Sequence, residues 1–276
     1  MPLRLMCVLA HPDDESLGCG GALARYSAEG VETFVVTATR GERGRVRGER
    51  PGPAVVAPLR EAELRRAAKV LGVRELVLLD FLDGELDRAD ALEAASKIAA
   101  HVRRLRPHVV VTFAADGSYG HPDHVAISQF TGAALVAAAD PAFVPAPGVE
   151  LAEAPHRVSK LYWMAWDGDA YDVYQEALGT ELLALVEGVE RRPTPWPAWA
   201  LTSRIDAREY WRTVWRAVQC HASQIASYGG ISELTPARHR ELWGATQSFY
   251  RVWSLVNGGR EPEDDLFAGL RSPHGR

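Results

Sequence analysis

A dense group of charged side chains stands directly after the first apolar segment of the chain. Residues 3–10 are apolar and are predicted to form a buried strand, and residues 11–15, His-Pro-Asp-Asp-Glu, then bring one imidazole and three carboxylates. A protein core cannot bury so many charges without partners, because each unpaired charge is costly to remove from water. A divalent cation would neutralise several of them at once. The segment therefore predicts a metal site where the first strand ends.

A second group of histidines follows a later apolar run. Residues 109–113 are apolar, and the segment 119–124 after them reads Tyr-Gly-His-Pro-Asp-His. Histidine and carboxylate ligands around one open position are typical of catalytic zinc sites. Together the two groups indicate a hydrolytic metal site.

Apolar runs alternate with amphipathic segments through the first half of the chain. Beside the two runs above, strands are predicted at 31–38 and 76–79. Helices are predicted between the strands, at 16–29, 58–71, 89–105 and 122–139. Continuous apolar strands separated by amphipathic helices indicate a parallel sheet with both faces covered. The predicted fold class is α/β, a doubly wound, Rossmann-like parallel sheet.

The second half of the chain is less regular. Strands are predicted at 158–166 and 198–205, and a long helix at 207–227. We therefore expect an α/β core over residues 1–156 that carries the metal site. A C-terminal portion over residues 157–276, with strands and helices in a less regular order, is expected to complete the substrate cleft within one compact unit.

The predicted topology brings the two polar groups together. In a doubly wound sheet of order 3-2-1-4-5, the first and fourth strands are neighbours, and ligands bind beyond their carboxyl ends. The first strand ends at His11, and the fourth ends shortly before His121. Both groups should therefore line one crevice.

A catalytic zinc ion usually has three protein ligands and an open position for water. His11, Asp14 and His124 would supply such a set for one Zn²⁺ per chain, and Fe²⁺ accepts the same ligand types. Asp13 and Asp14 should project differently from the turn, so we assign Asp14 to the metal. Asp13 is then the candidate general base.

Two further side chains are candidates for proton transfer and charge stabilisation. Pro122 suits the first position of a helix, which places His121 at the helix cap beside the metal. His121 could protonate the leaving amine or stabilise the tetrahedral oxyanion, and the Tyr119 hydroxyl could assist with the oxyanion. Asp13 acting as an acid is the other candidate proton donor.

The bulk composition excludes several classes of function. The 276 residues carry 31 Lys and Arg against 36 Asp and Glu, a net charge of −5, which argues against a nucleic-acid partner. No apolar stretch approaches the roughly 20 residues that a membrane span needs. Three scattered cysteines and the absence of a signal peptide lead us to expect a cytoplasmic protein.

The two motifs, Ala-His-Pro-Asp-Asp-Glu at 10–15 and Tyr-Gly-His-Pro-Asp-His at 119–124, carry a family resemblance. The chain resembles the LmbE-like, PIG-L superfamily of zinc-dependent N-acetylglucosaminyl deacetylases, which includes the mycothiol- and bacillithiol-pathway enzymes. The resemblance extends over nearly the whole chain. Less specific matches to the sequences of this family lie at residues 39–42, 59–61, 81–84 and 221–224.

The resemblance implies zinc ligands, catalytic residues and a substrate class. The implied ligands and catalytic groups are the ones assigned above: His11, Asp14, His124, Asp13, His121 and Tyr119. It adds Asp123 as a carboxylate that orients a histidine, and Glu42, Arg60 and Asp83 as side chains that hold sugar hydroxyls. The implied partner is a small-molecule amino-sugar conjugate, and the question of a homo-oligomer is open.

Four alternatives are left open by the sequence. An amidase that removes a larger acyl group would use the same metal motifs. A receiver domain also clusters acidic residues after its first strand, but it needs no histidines and is shorter than this chain. A non-catalytic sugar-binding relative would not need every catalytic residue type. The arginine-rich segment 40–50 is either a solvated loop or a lid that contacts an anionic group of the substrate.

Overall fold

The first and fourth strands of the chain are neighbours in the central sheet. The structure, a computed structural model, describes residues 2–178, 184–186, 188–226, 228–259 and 261–271. Its strands are β1 (Arg4–Leu9), β2 (Glu32–Thr39), β3 (Glu75–Phe81), β4 (Val109–Phe113), β5 (Lys160–Ala165), β6 (Ala184–Val186), β7 (Val189–Arg191), β8 (Ser203–Ile205) and β9 (Gln247–Ser254). Seven of them form one sheet in the order β3-β2-β1-β4-β5-β9-β8, and β6 pairs with β7.

Helices cover both faces of this sheet. They are α1 (Asp14–Leu17), α2 (Gly20–Ala28), α3 (Pro53–Val70), α4 (Ala91–Leu105), α5 (Gly117–Gly120), α6 (Pro122–Ala139), α7 (Gly168–Leu178), α8 (Trp211–Cys220), α9 (Ala222–Ile225) and α10 (Pro236–Trp243). Helix α4 packs on α6, whereas α2 and α3 pack on α8. Within the ranges given above, the structure contains no helix with the length and apolarity needed to cross a bilayer.

The parallel part of the sheet agrees with the predicted topology. Strand β1 pairs in parallel with β2 and with β4, and Cys7 lies opposite both Val35 and Val111. The pairs β2–β3 and β4–β5 are parallel as well. Every residue of β4 is buried, as expected for a strand covered on both faces. The doubly wound α/β prediction is confirmed, including the order 3-2-1-4-5.

Strands from the second half of the chain extend the same sheet. Strand β9 pairs antiparallel with β5 and with β8. The sequence does not predict β9, because its polar and aromatic residues do not form a continuous apolar run. The two halves of the chain thus contribute to one sheet.

Two predicted helices are wrong in their extent. The segment 16–29 is divided between α1, which ends at Leu17, and α2, which begins at Gly20, because the backbone of Cys19 between them (φ −122°, ψ 0°) is not helical. The segment 207–227 is interrupted at His221, whose backbone (φ −84°, ψ 50°) leaves the helix while its imidazole is buried. The last residue of that prediction, Ser227, lies outside the described residues.

Three other boundaries differ because of proline and capping chemistry. The helix predicted at 58–71 begins at Pro53, since proline is tolerated in the first turn of a helix. In the strand predicted at 198–205, only β8 forms a strand of the sheet. Residues Ala198–Ala200 form a 3₁₀ turn after Pro197, which cannot donate a backbone hydrogen bond to a sheet. Helix α4 begins two residues after its predicted start because the Asp90 carboxylate caps it, accepting from the Glu93 N–H at 2.8 Å.

A buried ion pair attaches the C-terminal segment to the sheet. The Lys160 side chain on β5 is fully buried, and its Nζ donates to Oε1 of Glu263 at 2.7 Å. The other carboxylate oxygen of Glu263 accepts from the Tyr162 hydroxyl at 2.6 Å, and Arg251 lies 2.8 Å from the first. Removing Lys160 would leave Glu263 paired with Arg251 alone, and it would leave the Ala268 carbonyl without the Nζ donor that lies 3.0 Å away.

Lys160→Ala should therefore lower the free energy of unfolding by about 3 kcal/mol. The matched control is Arg65→Ala, because Arg65 pairs with Glu61 on the exposed surface of α3. The control should change stability by less than about 1 kcal/mol. Urea-induced unfolding of both variants measures the difference, and equal losses would contradict the role given to Lys160.

Candidate active site

The two polar groups lie at the carboxyl ends of β1 and β4, at the edge where the strand connections diverge. A cavity of about 610 Å³ opens there. The residues lining it from the first half of the chain include His11, Asp13, Asp14, Arg60, Asp83, Tyr119, His121, Asp123 and His124. The predicted convergence of the two groups is therefore present in the structure, at the position where doubly wound folds bind ligands.

Two imidazole nitrogens face each other at the bottom of this cavity. The His11 Nδ1 atom lies 3.2 Å from the His124 Nε2 atom. Because His124 Nδ1 is 3.2 Å from the Gly117 carbonyl oxygen, that nitrogen carries the proton and Nε2 offers a lone pair. His11 Nε2 in turn lies 3.0 Å from an Asp123 oxygen and 3.2 Å from an Asp83 oxygen, so it carries the proton of the neutral ring.

In neutral rings, two lone pairs would thus point at each other, which only a proton or a metal cation between them can stabilise. Two nitrogens bound to one tetrahedral zinc ion lie about 3.3 Å apart, given zinc–nitrogen distances of about 2.0–2.1 Å. The separation of these two atoms matches that value. The donor chemistry of the pair therefore fits a metal ion.

Asp14 supplies a carboxylate next to the two imidazoles. Its Oδ2 atom accepts hydrogen bonds from the backbone N–H groups of Ala10, at 3.1 Å, and His11, at 2.7 Å. Its Oδ1 atom lies 3.7 Å from His124 Nε2, and Oδ2 lies 3.8 Å from His11 Nδ1. Burial raises the pKa of Asp14 to about 7, against the opposing influence of the His11 charge. A bound cation would counteract this effect of burial.

Two groups of side chains in this cavity have ligand atoms close enough together to hold one metal ion. Ligand atoms of His11, His121 and His124 all lie within 4.8 Å of one another, and so do those of His11, Asp83 and Asp123. His11 and His124 share the first group, whereas Asp14, at 3.7–3.8 Å from the two imidazoles, belongs to neither.

The charges of the imidazoles are unequal. Burial opposes a charge on His11, but hydrogen bonds to Asp123 and Asp83 raise its pKa well above the ordinary value. Burial and the His11 charge lower the pKa of His121 to about 4, and they lower the pKa of His124 as well. Without a metal, the positive charge among the three rings is therefore carried by His11.

Asp123 orients His11 and is itself held by the backbone. Its Oδ2 atom accepts from the Gly84 N–H at 2.7 Å, and its Oδ1 atom accepts from the Leu86 N–H at 3.1 Å. Although burial opposes the charge, the His11 hydrogen bond holds the pKa of Asp123 below its usual range. A fully buried, fully bonded carboxylate behind a histidine is the arrangement that fixes ring orientation in metal sites.

Asp13 stands in a strained backbone conformation at the mouth of the cavity. Its φ of 108° lies in a region that residues other than glycine rarely adopt. One carboxylate oxygen, Oδ2, accepts from Arg60 Nη2 at 3.1 Å and from the Tyr228 hydroxyl at 2.5 Å. The sequence does not predict Tyr228 as a site residue, because no spacing rule connects two positions 215 residues apart.

His121 is held as a neutral hydrogen-bond donor at the start of α6. It is the cap of that helix, and its Nδ1 atom accepts from the Asp123 N–H at 3.2 Å, so the proton of the neutral ring is on Nε2. Positive charge is disfavoured there by burial and by the helix N-terminus. The Tyr119 ring packs edge-on against His121 and His124, with centroids 5.8 and 5.4 Å away.

The three residues expected to hold sugar hydroxyls, Glu42, Arg60 and Asp83, form hydrogen bonds with the loops that follow β1, β2 and β3. Glu42 Oε1 accepts from the Asp83 N–H at 2.9 Å, while its Oε2 is buried without a hydrogen-bond partner among the described residues. The Arg60 guanidinium, 5% exposed, also donates to the carbonyls of Pro12, at 2.5 Å, and Gly41, at 2.9 Å. Arg60 and Asp83 line the cavity, whereas Glu42 lies behind them.

A second buried ion pair lies behind Asp13. Glu15 and His221 are both fully buried, and Glu15 Oε1 lies 2.7 Å from His221 Nε2. The other oxygen of Glu15 accepts from the Asp13 N–H at 2.9 Å. Burial opposes both charges, but each partner favours the charged form of the other, so the pKa of His221 is raised and the pKa of Glu15 is lowered.

His221→Gln should destabilise the metal-free protein by about 2 kcal/mol, with a dependence on pH. The raised pKa of His221 contributes stability below its ordinary value of 6.5, and this is lost as the pH rises through the raised value. The lowered pKa of Glu15 contributes stability above its ordinary value of 4.5, and this is lost as the pH falls through the lowered value.

The difference in unfolding free energy between the wild type and His221→Gln should therefore be largest between pH 4.5 and 6.5. Urea unfolding across this range measures it. His101→Gln is the control, because His101 is only partly buried and contacts Arg104 on the exposed side of α4. A loss at His221 that did not vary with pH would contradict the ion pair.

Comparison with known proteins agrees with this geometry. Residues 6–135 match the family described as PIG-L: GlcNAc-PI de-N-acetylase. The 1D-myo-inositol 2-acetamido-2-deoxy-alpha-D-glucopyranoside deacetylase of Streptomyces avermitilis is 34% identical to this chain, over 97% of each protein. The mycothiol S-conjugate amidase of Streptomyces coelicolor is 31% identical over 98% of each. A solved structure of a conserved protein from Thermus thermophilus, 28% identical, has a TM-score of 0.64 and covers 93% of this chain and 97% of that one. The chain thus belongs to the PIG-L family.

Proposed function

We propose that this protein is a zinc-dependent N-deacetylase that hydrolyses the N-acetyl amide of an N-acetylglucosamine conjugate to acetate and a free amine. The observation that carries the proposal is the approach of His11 Nδ1 to His124 Nε2, 3.2 Å apart in a cavity that also holds Asp13. Family membership supports the same chemistry, since the matching family description names a de-N-acetylase.

We assign His11, Asp14 and His124 as the ligands of one zinc ion per chain. His11 Nδ1 and His124 Nε2 would each bind the ion through a lone pair, and Asp14 would bind it through Oδ1, the oxygen that its backbone hydrogen bonds leave free. A zinc ion bound there would lower the pKa of its water and polarise the amide carbonyl. Fe²⁺ accepts the same imidazole and carboxylate ligands, so the donor set alone selects between the two metals only weakly.

Asp13 is the proposed general base. Its carboxylate lines the cavity, and two hydrogen bonds occupy one of its oxygens, which leaves the other to accept the proton of the attacking water. His121 presents a neutral Nε2–H to the oxyanion, and the Tyr119 hydroxyl is a second donor. Asp13, which would take the proton from the attacking water, is proposed to return it to the departing amine, and His121 is the alternative donor.

The substrate is proposed to be a glucosamine-type sugar with a small polar aglycone. A relative at 34% identity is named for an inositol glycoside of N-acetylglucosamine, which makes an inositol the first aglycone to test. Glu42, Arg60 and Asp83 are proposed to form the sugar-facing side. The portion 157–276 is proposed to complete the cleft, because Met164, Trp166 and Tyr228 line the same cavity.

An amidase that removes a larger acyl group is the second candidate. It is favoured by the similarity to a mycothiol S-conjugate amidase, at 31% identity over nearly the whole chain. The two functions share the cleaved bond type and differ in the acyl group that the cavity must accept. Only a comparison of substrates separates them.

The assignment of roles predicts different phenotypes for neighbouring residues. Asp13→Asn should keep about one zinc ion per chain and lose about 10²–10⁴ in kcat, the usual contribution of a general base. His11→Ala and His124→Ala should lose both metal and activity. Metal analysis and amine release on the same preparations measure the two effects.

His121→Ala is the control for the ligand set. It should keep the metal and lose about 10²–10³ in kcat, as expected for an oxyanion donor. If His121→Ala lost the metal while Asp14→Asn retained it, the ligands would be the three histidines instead.

The choice between deacetylase and amidase predicts an order of substrates. Amine release from the N-acetylglucosaminyl inositol should have a kcat/KM at least about tenfold above that for a mycothiol S-conjugate, equivalent to about 1.4 kcal/mol in transition-state binding. Asp13→Asn should lower both activities by the same factor, about 10²–10⁴, which would exclude a contaminating hydrolase. The reverse order would favour the amidase.

A further inference from the structure

The hydrogen bonds of Asp13 are distributed unevenly between its two carboxylate oxygens. Oδ2 accepts from the Tyr228 hydroxyl at 2.5 Å and from Arg60 Nη2 at 3.1 Å. Across the described residues, no donor is assigned to Oδ1. Two donors on one oxygen hold the plane of the carboxylate and leave the other oxygen as the acceptor available to the reaction.

The backbone of Asp13 is held by Glu15, which pairs with His221, a residue close to Tyr228 in the sequence. Its left-handed φ of 108° is unfavourable for a residue with a side chain, so the conformation must be held by neighbouring contacts. Glu15 accepts from the Asp13 N–H at 2.9 Å, and the buried His221 holds Glu15 in place at 2.7 Å. His221 contacts Glu15 and Tyr228 contacts Asp13, so two residues from one short stretch of chain hold the turn that follows β1.

The described residues of that stretch, 221–226 and 228, are hydrogen-bonded to the first half of the chain and to one another. Ser223 donates to Glu63 on α3 through its N–H, at 2.8 Å, and through its hydroxyl, at 2.6 Å. The Gln224 amide donates to the Arg45 carbonyl at 2.8 Å. Tyr228 follows α9 and donates its own N–H to the Ile225 carbonyl at 3.0 Å. Its position is thus set by contacts other than the one to Asp13.

We propose that Tyr228 is a positioning residue for the general base. Its hydroxyl, with Arg60, holds Oδ2 of Asp13 so that Oδ1 stays turned toward the reacting water. The inference rests on the proposed function in taking Asp13 as the base. It gives a role in positioning the base to a residue that lies beyond residues 6–135, the part matched by the family description.

Tyr228→Phe removes the hydroxyl and keeps the ring. We expect kcat for the N-acetylglucosaminyl inositol to fall about 10- to 100-fold, the usual effect of losing a hydrogen bond to a charged group. KM should stay within about twofold, because a residue that acts through Asp13 contributes little to ground-state binding. Zinc content should be unchanged, and the thermal midpoint should confirm that the variant is folded.

The matched control is Tyr250→Phe. The Tyr250 ring stacks on Trp163 with centroids 5.7 Å apart on neighbouring strands, and within the described residues its hydroxyl makes no assigned hydrogen bond. The control should keep the wild-type kcat and KM. A wild-type kcat in Tyr228→Phe as well would overturn the proposal.

The decisive measurement is the effect of Tyr228→Phe on kcat in a protein that already lacks the Asp13 carboxylate. Asp13→Asn and the double variant Asp13→Asn, Tyr228→Phe should have the same residual kcat, because Tyr228 then has no base to position. Losses that multiply, or a rise in KM at constant kcat, would show that Tyr228 contacts the substrate or the oxyanion and would overturn the proposal. If Asp13→Asn alone kept full activity, the proposed function would fail at the base assignment, and the role of Tyr228 would fail with it.

Discussion

The parallel pairing of β1 with β4 is the interaction on which the active site depends. Its register sets Leu5 opposite Val109 and Cys7 opposite Val111, so the chain leaves both strands at the same edge of the sheet. Two imidazoles that are 113 positions apart in the chain, His11 and His124, meet there at 3.2 Å. A different neighbour for β1 would leave each motif as an isolated polar turn without a metal site.

Most of the buried carboxylates of the site have hydrogen-bond donors or a charged partner within the protein itself. Asp123 and Asp14 accept backbone N–H groups, and Glu15 is paired with His221. The free-energy cost of removing these carboxylates from water is therefore met during folding and not when substrate binds. Such an arrangement keeps donors and acceptors in position before the reaction begins, which is the condition for electrostatic stabilisation of a transition state.

Most of the α/β core could be predicted from residue patterns, because each pattern is local. Strand β4 and helix α6 have their predicted bounds, since one is a continuous apolar run and the other starts at a proline. The helix break at His221 could not be predicted in this way. Its cause is a buried contact with Glu15, 206 positions earlier in the chain, and periodicity carries no information about such a partner.

The sequence alone determined the chemistry available to this protein: two imidazole-rich motifs, each after a buried strand, and the family to which they point. The tertiary structure decided which atoms of those side chains face one another. In the folded protein, Asp123 is hydrogen-bonded to His11 Nε2. Arg60 and Tyr228, which lies in the last quarter of the chain, both donate to the Asp13 carboxylate. The physical reason is that residue type and periodicity are properties of neighbouring positions, whereas hydrogen-bond partners are chosen among all groups that folding brings within about 3 Å.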